Sequence, residues 1–181
     1  MVLQAHWHEV CEAFRAMPIT FHSFDRRFLA ASFVAASLGW AVIVGVRPAN
    51  AMETNNICAA AIEPAERERN IPRDLLTAIA KTESGRWDAD REAVIAWPWT
   101  VTSGADGRFF PTKAEAIDHV RLLQARGVTN IDVGCMQINL RYHPDAFADL
   151  DSAFEPELNT AYAARFLSDL FKAHKSWGEA I

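Results

Sequence analysis

The stretch Ile71-Pro72-Arg73-Asp74-Leu75-Leu76-Thr77-Ala78-Ile79-Ala80-Lys81-Thr82-Glu83-Ser84-Gly85-Arg86-Trp87 decides how this chain is read. Pro72 suits a first helical turn, Asp74 complements the positive end of a helix and Gly85 supplies a stop, so the pattern predicts a helix over residues 72–84. Leu75, Leu76, Ile79 and Ala80 form one apolar stripe, and Glu83, four residues after Ile79, continues it. A carboxyl group held against apolar surface has its charged form destabilised, so its pKa rises and it can serve as a general acid near neutral pH. Periodicity alone leaves a second reading open, in which Glu83 is a solvated side chain at a frayed last turn.

Upstream, Arg26-Arg27 precedes an apolar run over residues 28–46, which ends in Arg47-Pro48-Ala49-Asn50-Ala51. A basic segment, an apolar core and an Ala-x-Ala end describe a secretory signal peptide cleaved after Ala51. The run is also long enough for an uncleaved membrane anchor, and that alternative stays open. Initiation at Met17 would give an ordinary basic region, so the start at Met1 reads as too early. Residues 1–51 are therefore set apart from a second unit, residues 52–181, which is the size of one ordinary domain. Their removal takes away Arg15, Arg26, Arg27 and Arg47 against Glu9, Glu12 and Asp25, moving the net charge from -5 to -6. That balance argues against nucleic acid as a partner. The expected location is exported and periplasmic, with membrane contact limited to the signal peptide.

Export also changes how the cysteines are read. Cys11 falls in the removed part, and in an oxidising compartment Cys58 and Cys135 can form a disulfide tying the first helix to the 134–139 segment. Two buried free thiols are the alternative. His119, His143 and His174 have no ligand spacing with these cysteines or with each other, so no metal site is expected. No glycine-rich phosphate loop or internal repeat is present, and no cofactor is expected.

Residues 57–69 read as a helix with Pro64 a break near its middle. Residues 96–110 read as a β-hairpin around Gly104-Ala105-Asp106-Gly107, flanked by Trp97, Trp99, Phe109 and Phe110. Those aromatics are either sugar platforms or core filling, with core the better fit. Thr112-Lys113-Ala114-Glu115 is a capping box for a helix that stops at Gly127. Residues 132–139 suggest a short helical turn after an extended entry. From Pro156 a long helix follows, with Leu158, Tyr162, Phe166 and Leu170 stepping by four and Ala161, Ala163, Ala164, Leu167 and Phe171 widening its apolar face. Gly134, Met136, Gln137 and Asn139 form a second polar cluster. Amides suit sugar hydroxyl and acetamido groups and Met suits irregular sugar faces, although Gln137 and Asn139 could equally satisfy backbone in a turn.

Glu83-Ser84-Gly85 after Ile71-Pro72, then Gly134-Cys135-Met136-Gln137-Ile138, then Asn159 with Ala163-Ala164 and Phe166-Leu167, resemble in order the three motifs of the soluble lytic transglycosylase family, relatives of goose-type lysozyme. The resemblance covers residues 57–181. It implies a mainly α (α+β), lysozyme-like fold with a small β-hairpin insertion. It also implies cleavage of the β-1,4 bond between N-acetylmuramic acid and N-acetylglucosamine in peptidoglycan, giving 1,6-anhydromuramic acid ends. Glu83 matches the sole catalytic acid and Ser84 its neighbour near the sugar. Met136 and Gln137 match groove residues, with Asn139 and Tyr162 as further substrate-binding candidates. Cys135 stands where the familiar Gly-Leu-Met-Gln motif has Leu, and Ala163 and Phe166 stand where Gly and Tyr are common.

A two-carboxylate glycosidase needs a second acid. Asp88, Asp90 and Asp132 are near enough in sequence to be considered, with Asp88 and Asp90 read as loop residues and Asp132 as a cap. Relatives continue past Ile181 with a Tyr-bearing segment and a closing helix, so the domain reads as truncated at its C-terminus. The expected partners are peptidoglycan strands and a secretion, pilus or flagellar machine. The competing readings are a non-catalytic peptidoglycan-binding scaffold and a hydrolytic lysozyme.

Overall fold

The computed structural model describes residues 57–181, so the signal-peptide, start-site and anchor readings fall outside the described residues. Helix α1, Ile57–Arg69, turns Cys58, Ile62 and Ala65 inward at helical spacing. It runs through Pro64 without the expected break. Pro64 lies on the exposed face, and the carbonyl its missing N–H would have bonded belongs to exposed Ala60, where water can replace the lost partner.

Helix α2, Leu75–Glu83, starts later than Pro72. Asp74 occupies its N-cap with a left-handed φ of 67°, and its side chain makes no cap bond. Glu66, at the end of α1, does that work. Its buried carboxylate accepts from Asp74 N at 3.1 Å and from Leu76 N at 2.8 Å. Ile71 N, bonded to Glu66 O at 2.9 Å, folds the connection tightly enough to bring this acid to amides that a helix start leaves unpaired.

Strands β1, Gly85–Asp88, and β2, Ala93–Ala96, form an antiparallel hairpin. Asp88 is therefore a buried strand residue rather than a loop residue. Its carboxylate accepts from Arg91 N at 3.0 Å and pairs with Arg91 Nη1 at 3.3 Å, closing the turn. The hairpin expected in residues 96–110 is present as β3, Thr100–Ser103, and β4, Asp106–Phe109. Helix α3, Lys113–Ala125, opens on Thr112 Oγ1, which accepts from Glu115 N at 3.2 Å. It closes at Gly127, where a φ of +80° lets Gly127 N and Val128 N bond back to Gln124 O and Leu123 O.

The helical turn expected near residue 135 is instead a hairpin of β5, Asp132–Val133, and β6, Ile138–Asn139. Val133 pairs with Val101, giving a sheet in the order β4-β3-β5-β6. Gly134 at φ 83° and Gln137 at φ 46° turn the chain with left-handed residues that a right-handed helix cannot contain.

Helices α4, Leu150–Ala153, α5, Pro156–His174, and α6, Trp177–Ala180, complete the fold. The buried face of α5 carries Asn159, Thr160, Ala163, Ala164 and Leu167, rotated by about one residue from the expected stripe. Leu158 is 49% exposed and Ala161 is also exposed. The small Ala163 and Ala164 sit where α5 packs against α1, and the polar Asn159 and Thr160 turn inward because each finds a hydrogen-bond partner there. One core joins α1, α2, the 135–138 segment, α5 and α6 through Ile62, Leu76, Met136, Ala164 and Leu167. A second lies between α3 and the larger sheet around Val101, Val120, Val133 and Phe154, and half-buried Phe147 touches both. The result is a mainly helical α+β fold with a small antiparallel sheet.

Candidate active site

Glu83 is the last residue of α2 and is half-buried. The chain changes direction immediately after it. Ser84 N bonds to Ala80 O at 2.9 Å and its hydroxyl, 1% exposed with the rest of the residue, donates to Ala80 O at 3.1 Å and Cys135 O at 2.7 Å. Ser84 O accepts from Trp97 N at 2.9 Å, which starts the β1–β2 pairing. Gly85 has to be glycine, since a Cβ there would overlap the Lys81 carbonyl and approach Val94 Cγ1 at 2.7 Å. Glu83 thus leaves the helix with the next residue bonded to the 134–137 turn.

That turn is buried throughout and is held from four elements. From α1, Cys58 forms a disulfide with Cys135. From the residue that caps the end of α2 comes the Ser84 hydroxyl. From β3, Thr100 O accepts from Gly134 N at 3.0 Å and from Gln137 Nε2 at 3.1 Å. From α5, Asn159 Oδ1 accepts from Met136 N at 2.9 Å, while its Nδ2 donates to Val133 O and Ala153 O at 3.0 Å. Gly134 leaves room for that amide: a Cβ on it would stand 2.7 Å from Asn159 Cγ.

The structure therefore brings Ser84, the residue after Glu83, against Cys135 in the turn that also carries Met136 and Gln137. Met136 is 1% exposed and sits in the core with Leu76 and Ala164, so its side chain is packed inside rather than presented on an open groove surface. Gln137 is 6% exposed, and its Nε2 also donates to Gly134 O at 3.0 Å. Its Oε1 is buried with no hydrogen-bond partner among the described residues. Asn139 turns to its own loop: Nδ2 donates to Asn130 and Asp132 at 2.8 Å, and Oδ1 accepts from Arg141 N and Tyr142 N.

Tyr162 stands on α5, with its hydroxyl 2.7 Å from His143 Nδ1 and the Arg165 guanidinium 4.9 Å from its ring centroid. Burial raises the Tyr162 pKa and lowers that of His143, so both groups are held toward their neutral forms. Of the carboxylates weighed as a second acid, Asp88 closes the β1–β2 turn and Asp132 accepts from Asn139. Asp90 is exposed.

Trp97 resolves toward core, 4% exposed, with Nε1 donating to Phe110 O at 2.7 Å and its ring edge-on to Trp99. Phe110 and Trp99 pack beside the second core, whereas Phe109 is 44% exposed. Sequence reasoning passed over Glu66, Arg86 and the Thr100 carbonyl. A backbone carbonyl leaves no signature in sequence, and Glu66 looks like one more surface acid in a charged helix end.

A protein-family model described as the transglycosylase SLT domain matches residues 60–181. No curated protein and no solved structure matches the chain.

Proposed function

Because the chain belongs to the transglycosylase SLT domain family, we propose that it is an exported peptidoglycan lytic transglycosylase in which Glu83 is both general acid and general base. The observation that carries this reading is the Ser84 hydroxyl bridge from Ala80 O to Cys135 O, which fastens the end of α2 to the 134–137 turn. That bridge lies one residue after the acid that terminates the apolar helical stripe, which supports reading Glu83 together with the second motif.

In the first step Glu83 donates its proton to the glycosidic oxygen as the bond to the muramic acid C1 breaks. The substrate's own 2-acetamido group supports the cationic centre. The ionised Glu83 then removes the proton from the muramic acid 6-hydroxyl as that oxygen bonds to C1, closing the 1,6-anhydro ring. No water is consumed, so no second carboxylate is required to activate one. The engagement of Asp88 in its turn and of Asp132 with Asn139 supports a one-acid scheme. Peptidoglycan strands in the periplasm are the substrate under this reading, with an envelope machine that needs local wall opening as the partner.

Digestion of purified peptidoglycan followed by mass spectrometry tests the proposal. The expected products carry anhydromuramic acid ends, lighter by one water than hydrolytic ends, and Glu83→Gln abolishes them. Reducing ends would replace the reading with a hydrolase. Retained cleavage by Glu83→Gln would remove Glu83 from its role.

A further inference from the structure

Arg86 is an unusual cation for an acidic chain. It lies in β1, three residues after Glu83 and opposite Ile95. Its guanidinium carbon stands 3.6 Å from the centroid of the buried Trp97 ring, a stacked arrangement that fixes the plane of the group. No ion pair among the described residues involves Arg86. Among the described residues its Nε is buried without a hydrogen-bond partner and its terminal nitrogens donate no hydrogen bond, while the residue as a whole is half-buried. One end of the fork is thus sealed against the protein and the other faces outward.

Such an arrangement is incomplete by itself. A guanidinium pays desolvation when half-buried and ordinarily recovers it through a carboxylate. Here rigidity comes from an aromatic ring, so the outward pair of nitrogens is held in a geometry suited to a planar two-oxygen acceptor. The position is tied to the proposed catalytic acid, because Trp97 N bonds to Ser84 O and three residues of chain span at most about 10 Å. A substrate sugar at Glu83 would bring its substituents within reach.

We propose that Arg86 recognises a carboxylate on the 3-O-lactyl branch of muramic acid, a specificity-determining contact that rests on the glycan-lyase reading above. Two sources carry this chemistry. On peptide-bearing strands the lactyl carboxyl is amidated and the carboxylates belong to the stem peptide. On strands stripped of peptide the lactyl carboxylate itself is free. N-acetylglucosamine oligomers carry neither.

Binding is measured on the Glu83→Gln chain, so that the ligand is not cleaved, with three probes: peptide-bearing glycan oligomers, peptide-free glycan oligomers, and N-acetylglucosamine oligomers. Arg86→Met keeps an apolar stem over Trp97 and removes the fork. The expected result is roughly a tenfold or greater rise in Kd for one or both muramic acid probes, and a change of less than about twofold for the N-acetylglucosamine probe. Loss confined to the peptide-bearing probe assigns the contact to the stem, and loss confined to the peptide-free probe assigns it to the lactyl carboxylate. Arg86→Lys, which keeps the charge without the planar fork, restores only part of the loss. Equal weakening on all three probes, or none on either muramic acid probe, overturns the proposal. Where the thermal midpoint of Arg86→Met is lowered, Arg86→Lys decides instead: weakening of a muramic acid probe relative to the N-acetylglucosamine probe supports the contact, and no such difference overturns it. If the Glu83→Gln chain binds none of the probes, the glycan reading itself falls. If it binds all three and Arg86→Met does not discriminate, only the branch contact falls.

Discussion

Residues 134–137 and the β1–β2 hairpin both meet the end of α2, the first through the Ser84 hydroxyl and the second through Gly85, yet they are secured in different ways. The turn is buried and fastened by Cys58, Ser84, Thr100 and Asn159, each from a different element. The hairpin has four residues per strand and leaves Trp87 61% and Val94 42% exposed as a cross-strand pair. A two-stranded ribbon of that size is marginal in water without outside support. Its support comes from the Ser84–Trp97 backbone bond and the Arg86–Trp97 stack. The turn is therefore over-determined, and the hairpin is more lightly anchored with exposed side chains. Under the proposed function, the fixed turn would hold the acid and the accessible side chains of the hairpin would meet the glycan.

The sharpest way to break this contrast is Asn159→Ala. It leaves Met136 N and the Val133 and Ala153 carbonyls without their buried partner. Unsatisfied buried groups cost about 1–3 kcal/mol each and do not add fully, so a loss of about 4 kcal/mol is expected in denaturant unfolding. A loss below about 1 kcal/mol would mean that the turn holds its shape without α5. Next in size is the double substitution of Cys58 and Cys135 by Ala. The disulfide closes 77 residues of separation. Its removal is expected to cost about 3 kcal/mol, less than the loss of Asn159 because it leaves no buried hydrogen-bonding group without a partner. A larger effect than that of Asn159→Ala would make the covalent link the dominant restraint.

The elements legible in sequence were those whose cause is local. Pro156 and helical spacing marked α5, Thr112 with Glu115 marked the start of α3, and Gly127 marked its end. The place of Glu83 at the end of its helix was legible because the apolar stripe is a property of one helix. What escaped was decided between elements. The 134–137 turn looked helical because nothing in residues 132–139 announces that Val133 will pair with Val101. The face of α5 was misjudged by one residue because Asn159 and Thr160 look like surface residues until their buried partners are known. The later start of α2 and the role of Glu66 at its first amides gave no sign, because the tight connection from α1 that delivers Glu66 is set by tertiary packing. Arg86 gave no signal at all, since an arginine in a polar stretch is unremarkable until Trp97 is seen beneath it.

The smallest effect is expected from Trp87→Ala, and it tests the open side of the comparison. The ring pairs across the strands with Val94, and both side chains are exposed, so truncation removes a surface contact without opening a cavity. Cross-strand pairs of this kind contribute about 0.2–1 kcal/mol, so the midpoint of unfolding should move by no more than an exposed substitution usually moves it, about 0.5 kcal/mol. The hairpin's supports, the Ser84–Trp97 backbone bond and Arg86 on Trp97, are untouched by the change. A cost above about 2 kcal/mol would show that Trp87 holds the ribbon in place, and the hairpin would then belong with the 134–137 turn as a structural restraint on Glu83. A small cost leaves a large ring exposed four residues beyond the proposed acid with little role in stability, which is what a surface kept for a ligand requires.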